Sequence, residues 1–377
     1  MIIADYQLIK QECTINLSMQ QKKLRQKNRE IKHYRPYIEN KDACEIYQTT
    51  SLLEISISRG RCSHDADGSC IMCNYGIANK TRSDESYLNE VKNILDTCDP
   101  KLKRLMLCTN GSFFDKNQIT DHLLQGVLIL ASRCSIPNIS FETYYNDVTT
   151  DILSLINQLL PDKKITIAMG LETSNQEYQN KIILKKIDLK EYAERIKLIH
   201  EYGFHVELNI MLGLPFLSTR QQFTDTCKTL QWVYSHKCSP VLFPVNIKPY
   251  TLLMEMYKTS FYKPITHWLV LEVLNTLTED ELAKIELAYY GNRIDDYDLS
   301  KNQTLFPICC QTCKPILEHF YKEFTHSDAG NIRKNVLMDA FRSCTCNCLS
   351  ETITQINDNN APGFDLFYNE YLTYLKN

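Results

Sequence analysis

Leu52-Leu-Glu-Ile-Ser-Ile-Ser58-Arg-Gly-Arg-Cys62-Ser-His-Asp-Ala-Asp-Gly-Ser-Cys70-Ile-Met-Cys73-Asn-Tyr-Gly76 opens with an apolar, β-branched run that reads as a strand and continues into a polar loop. The loop carries three cysteines at C-x7-C-x2-C spacing and three glycines, Gly60, Gly68 and Gly76. Downstream, further strand-like runs follow at Arg104 to Thr109, Asn138 to Thr143, Lys164 to Leu171, His205 to Leu212 and Pro240 to Lys248. Helical patterns separate them near Ser86 to Asp96, Gln118 to Ser132, Thr149 to Leu160, Leu189 to Tyr202 and Arg220 to Ser235. Strands alternating with helices imply βα units, a parallel sheet and helices on its outer face. A closed eight-fold barrel needs two more units, so the expected fold class is α/β, a partial (β/α)6 barrel whose chemistry belongs at the C-terminal ends of its strands. The cysteine loop follows the first strand and therefore lies at that mouth.

The flanking regions differ in character. Residues 1–50 are polar and charged, with a Lys/Arg/Gln-rich segment from Gln20 to Lys32 that reads as a solvated helix in an N-terminal extension wrapping the core. After about Tyr257 the alternation stops, and helical stretches at His267 to Leu277 and Glu279 to Ala288 lead into a cysteine-rich, mainly helical C-terminal region. The expected organisation is an extension (1–50), the barrel (51–256) and the C-terminal region (257–377). Lys+Arg 42 against Asp+Glu 45 leaves a net charge of -3, so no global basic field points to a nucleic-acid partner, although a local groove is compatible with it. The apolar runs, such as Leu123 to Ala131, are too short to span a bilayer and the N-terminus is too polar for a secretory signal. A cytoplasmic protein with no membrane association is expected. In a reducing compartment its 16 cysteines point to metal rather than to a disulfide framework.

Thiolates are the natural ligands of iron-sulfur clusters, and a glycine-rich loop folds tightly enough to bring Cys62, Cys70 and Cys73 onto one cube. Three ligands leave one iron open. A zinc loop or buried thiols is the plainer reading of a lone C-x2-C, but the position after strand one and the βα train behind it favour the cluster.

These residues resemble the radical S-adenosylmethionine (SAM) superfamily, with a spacing that departs from the commonest C-x3-C-x2-C form and points to a subfamily. Within it the chain is most similar to the archaeosine-forming enzymes and their Elongator-like relatives. The pieces are the Arg59-Gly60 lead-in, Cys73-Asn-Tyr-Gly76, Thr109-Asn-Gly-Ser-Phe-Phe-Asp115, Gly170-Leu-Glu-Thr173 and Asn209-Ile-Met-Leu-Gly-Leu-Pro215, in the family's order over residues 52–255. The resemblance implies a [4Fe-4S] cluster whose open iron chelates SAM and cleaves it reductively to methionine and a 5'-deoxyadenosyl radical. It implies that Met72 packs against the adenine, that Thr109, Asn110, Gly111 and Ser112 receive the methionine amine, and that Glu142 and Glu172 close strands at the mouth, toward substrate and ribose. Lys185 would pair with the SAM carboxylate, and Asn209 with Gly213-Leu-Pro215 would shape the adenine site. Met72 as core, the Asn-Gly-Ser turn as a plain turn and Lys185 as a solvated lysine are the structural alternatives. His64 is a candidate acid or base, with an exposed loop histidine as the simpler reading.

Cys309, Cys310 and Cys313 precede Cys344, Cys346 and Cys348 by about thirty residues. Four of them would complete a tetrahedral zinc site, for example Cys310, Cys313, Cys344 and Cys346, with Cys309 and Cys348 as substitutes; an auxiliary iron-sulfur cluster is the rival. The resemblance carries a C-x2-C followed by a C-x-C in the same region. The expected function is hydrogen abstraction from a small-metabolite or biosynthetic-intermediate substrate, with an external electron donor such as flavodoxin or ferredoxin. The alternatives are tRNA base modification, supported by the subfamily and the basic stretch Lys22 to Lys32, and a non-catalytic metal-cluster protein.

Overall fold

The computed structural model describes residues 17–24, 44–57, 59–60, 62–66, 68–75, 81–288, 305 and 307–376. Helix α1 (17–24) and strand β1 (Cys44–Gln48) precede β2 (Leu52–Ile57). After the cysteine loop, which carries the single turn α2 (Ser63–Ala66), come α3 (Asp84–Thr97), β3 (Arg104–Thr109), α4 (Asp121–Arg133), β4 (Asn138–Thr143), α5 (Thr150–Leu159) and β5 (Lys164–Glu172). The short turn α6 (Gln176–Tyr178) runs into a π-helical turn, Gln179–Ile183, and then α7 (Leu189–Glu201), β6 (His205–Leu212), α8 (Thr219–Ser235) and β7 (Ser239–Pro244) follow. The remainder is α9 (Leu252–Lys258), α10 (His267–Asn275), α11 (Glu279–Leu282), β8 (Glu286–Leu287), α12 (Lys314–His326), α13 (Gly330–Ser343), α14 (Cys348–Asn357) and α15 (Phe364–Lys376).

Among the described residues the strands form one eight-stranded sheet in sequence order, β1 to β8. β1 runs antiparallel to β2, and every later neighbour is parallel. The six expected strands are all present, and the sheet is an open partial barrel. Strands β2, β4 and β6 have one apolar and one polar face. In β2, Leu53, Ile55 and Ile57 are fully buried under the helices, while Glu54 and Ser56 turn inward. In β6, Val206, Leu208 and Ile210 pack outward and Glu207 and Asn209 inward. Parallel sheets covered on both faces are apolar on both; the polar inner face here lines a lumen instead.

The helices start where a short polar side chain caps them. Ser83, Thr120, Thr149 and Ser218 each accept the N3 amide, and Asp188 accepts from Lys190 and Glu191, each cap contributing roughly 1 kcal/mol. Thr120 explains why α4 begins after the expected Gln118.

Three expectations change. The helix expected over Glu279 to Ala288 ends after one turn, because the chain then joins the sheet as β8, where Glu286 aligns with Val241. β1, expected only as part of an extension, is a strand of the sheet. α1 is not a solvated helix: Leu17 and Gln21 are fully buried, and the rest of the Gln20 to Lys32 segment, from residue 25, lies outside the described residues. Among the described residues no helix is long and apolar enough to cross a membrane.

Candidate active site at the mouth of the barrel

Backbone hydrogen bonds hold the described part of the cysteine loop in a tight coil. Cys62 N donates to Tyr75 O at 2.9 Å, Cys73 N to Cys70 O at 2.7 Å, and Cys70 N reaches across to Ile183 O at 2.9 Å. The coil needs left-handed residues, supplied by Gly60 (φ +68), Gly68 (φ +87) and Cys70 (φ 54); glycine adopts this region without a Cβ clash. Gly76 lies outside the described residues. Cys62 and Cys70 are buried and Cys73 is half-buried. α1 braces the loop from outside: a Cβ on Gly68 would fall 2.4 Å from Ser18 O. The Gln21 amide links Cys70 O (3.5 Å) to Leu252 N (3.2 Å).

The turn after β3 closes on this loop from the other side. Asn110 Nδ2 donates to Gly60 O at 3.4 Å. At Gly111 an added Cβ would come 2.6 Å from Gln118 Nε2 and 3.1 Å from Cys62 Sγ, so the turn lies close against a cysteine sulfur, and a larger residue there would have to displace the glutamine amide or the sulfur. Thr109 and Ser112 are engaged elsewhere. Thr109 Oγ1 donates to Ile57 O at 2.8 Å, and Ser112 Oγ pairs with Thr143 Oγ1 at 2.8 Å and accepts from Tyr144 N at 2.9 Å. Their side chains fasten strand ends together.

Two carboxylates mark the mouth. Glu142 on β4 faces inward and accepts from Asn209 Nδ2 on β6 at 3.2 Å. The two side chains thus meet across β5, whose facing Ala168 and Gly170 leave room for them. Glu172 follows a bulge in β5, takes φ 66 and is buried. It pairs with Lys185 at 2.6 Å, which is presented by a kink with left-handed residues on both sides, Leu184 (φ 61) and Lys186 (φ 56). Burial works against the Lys185 ammonium, but the Glu172 carboxylate and the Cys70 and Cys62 sulfurs nearby outweigh it and hold its pKa well above the ordinary lysine value. Lys185 is therefore a fixed cation beside the cysteine loop and not a solvated lysine.

Met72 is buried with Ile71, Leu184, Leu214 and Val245 in an apolar cluster that also takes in Phe364, Tyr368 and Tyr371 of α15. The C-terminal helix thus returns to the mouth. Gly213 (φ +106) makes its close approach to protein: a Cβ there would lie 2.9 Å from Ile265 Cγ2, and Tyr262 Oη donates to Gly213 O at 2.7 Å. His64 is half-buried, with its ring 4.1 Å from that of Tyr144.

Several inward residues escaped the sequence reading. Arg104 plugs the N-terminal end of the lumen, donating to Ser140 Oγ (2.8 Å) and pairing with Glu207 and Glu286 (3.2 Å). Cys108 is buried on the same strand, its Sγ 3.9 Å from Glu54 Oε1. The polar phase of each strand was the available signal, legible only once the inner face is known to line a lumen. In the C-terminal region, Cys310, Cys313, Cys346 and Cys348 converge, with ligand atoms all within 4.8 Å of one another. Cys344 lies beside them, its Sγ 3.9 Å from Cys346 Sγ, and Cys309 is exposed. Cys348 takes the fourth place given to Cys344 in the expected set.

The profile of the radical SAM superfamily matches residues 57–228, from the end of β2 into α8. The chain carries a radical SAM domain over these residues. It is 25% identical over 232 residues to archaeosine synthase subunit beta of Methanosarcina acetivorans, covering 60% of this chain and 66% of that protein. It is 25% identical over 212 residues to the same subunit of Thermococcus kodakarensis, covering 54% and 65%. The chain thus spans just under two thirds of these relatives. Among solved structures, the radical S-adenosylmethionine methyltransferase TsrM from Kitasatospora setae has a TM-score of 0.47 at 10% identity, covering 83% of this chain and 68% of that one. A radical SAM domain implies a [4Fe-4S] cluster and SAM. The loop's donor set fits such a cluster: three soft thiols on one coil, a glycine clearing the space against one of them, and a fixed cation alongside.

Proposed function

We propose that Cys62, Cys70 and Cys73 hold the [4Fe-4S] cluster with one iron open to SAM, and that the enzyme abstracts a hydrogen from a small metabolite or biosynthetic intermediate bound in the lumen. When bound, the cluster and SAM supply one-electron reductive cleavage to a 5'-deoxyadenosyl radical. The chain's own residues do the rest. Lys185, fixed by Glu172 beside Cys70 and Cys62, offers its ammonium to the carboxylate of SAM. Asn110 and Gly111 bring the β3 turn against the cysteine loop to receive the methionine amine, with Thr109 and Ser112 holding that turn in place. Met72 flanks the adenine, and the hydrogen-bonded Glu142 and Asn209 orient the substrate. The Arg104 plug closes the far end of the lumen and limits the substrate, or the part of it that enters, to something small.

The observation that carries this reading is the three-cysteine coil at the mouth with Gly111 against Cys62 Sγ. Its test is anaerobic reconstitution, dithionite reduction with SAM and chromatography for 5'-deoxyadenosine. Formation should depend on Cys70 and vanish in Cys70→Ala. A cluster-loaded wild type that yields none, with or without candidate substrates, would count against the site.

The second reading, modification of a tRNA base, is favoured by the two relatives named archaeosine synthase subunit beta. Binding of tRNA that falls steeply with salt would select it, and salt-insensitive turnover of a free metabolite would select the first.

A further inference from the structure

Six cysteines between 309 and 348 take no part in the chemistry above, and four of them meet. We propose that Cys310, Cys313, Cys346 and Cys348 bind a single zinc ion, as an all-thiolate tetrahedral site that closes the base of the α12–α13 helical hairpin against α10. The site stands independently of the SAM reading.

The spacing carries the assignment. A tetrahedral ion with Zn–S near 2.3 Å sets its sulfurs about 3.8 Å apart. The four ligand atoms lie within 4.8 Å of one another, with Cys313 to Cys346 at 3.0 Å and Cys310 to Cys346 at 3.6 Å. Ligands of a cubane are attached to four different irons and stand further apart, so this set is too tight for an auxiliary cluster.

The surroundings are those of a metal site. Cys313 is fully buried, and its Sγ accepts the indole N–H of Trp268 at 3.2 Å. Cys310 Sγ accepts the backbone N–H of Cys313 at 3.4 Å. Donors on ligand sulfurs disperse thiolate charge and fix ligand orientation. Trp268 belongs to α10 and stacks on Phe341 of α13 at 5.9 Å, so the ion joins the hairpin to a helix that packs on the barrel. The connectivity explains why Cys348 and not Cys344 is the fourth ligand. Cys344 caps the end of α13, whereas Cys348 opens α14, and the intervening turn folds that helix start back toward Cys310 and Cys313.

Zinc and iron per chain, measured by plasma mass spectrometry on protein produced with zinc, test this. A single zinc is expected in the wild type and in the triple variant Cys62→Ala/Cys70→Ala/Cys73→Ala. Cys344→Ser and Cys309→Ser should keep it and Cys348→Ser should lose it. Cobalt should replace the ion with the intense visible bands of a tetrahedral thiolate complex. If Cys348→Ser does not fold, Cys348→His decides: a retained ion with a shifted cobalt spectrum places residue 348 in the set, and an unshifted spectrum removes it. A metal-free wild type, iron with acid-labile sulfide in the triple variant, or loss of zinc in Cys344→Ser with retention in Cys348→Ser would each overturn the proposal.

Discussion

Gly111 is where the turn after β3 comes up against the cysteine loop. Replacing its hydrogen with a methyl group puts carbon 2.6 Å from Gln118 Nε2 and 3.1 Å from Cys62 Sγ, so either the buried glutamine or the cysteine must move. Overpacking of this kind costs about 1–3 kcal/mol, but its larger effect should fall on the loop. Gly111→Ala is expected to lower iron bound after reconstitution several-fold, while Gly363→Ala, with nothing within 4 Å of the added atom, changes neither stability nor iron. Equal iron in both variants would show that the approach to Cys62 is incidental. The sequence singled out Gly111 through a family motif and grouped it with Thr109 and Ser112. Separating the glycine from its neighbours required coordinates, because Thr109 and Ser112 spend their hydroxyls on Ile57 O and Thr143.

At the scale of elements, α1 and the Arg104 cluster each hold a part of the site from behind. Gly68→Ala places a methyl group on α1, 2.4 Å from Ser18 O, at a residue that also needs φ +87, so a loss of about 2–4 kcal/mol is expected from the two effects together. Amide hydrogen exchange should then speed up in residues 17–24 before it does in β2 to β6; unchanged protection of α1 would mean that it does not brace the loop. Arg104→Met leaves the Glu207 carboxylate, 9% exposed, without its partner, which should cost about 3 kcal/mol. The double variant Arg104→Met/Glu207→Leu should recover much of that loss in denaturant melts. A double variant as unstable as the single one would show that the pair is not the source. Neither arrangement is legible in the chain: α1 reads as a polar helix because Gln21 is buried by its hydrogen bonds to the loop, and Arg104 by two carboxylates about 100 and 180 residues away.

Across the whole molecule, a titratable contact joins two helices of the C-terminal region that packs on the barrel. His267 opens α10, is 4% exposed and shares a hydrogen bond with Tyr321 of α12 at 2.9 Å. Burial pushes its pKa down from 6.5 to about 4. The unfolded chain therefore takes up a proton below pH 6.5 that the folded chain resists until about pH 4. Stability should fall through that window, by about 3 kcal/mol from this residue alone. His267→Gln should flatten that part of the profile in thermal melts between pH 4 and 7; an unaltered profile would assign the acid sensitivity to other groups. The six parallel strands, the helices between them and the place of the cysteine loop followed from the sequence alone, because period-2 and period-3.6 patterns and polar caps are local properties that each segment carries with it. Which residues face the lumen, which cysteine is the fourth of the C-terminal set, and how α1 and α15 return to the mouth were decided only by the tertiary structure. Those depend on contacts between residues far apart in the chain, and one-dimensional patterning holds no record of the distance between them.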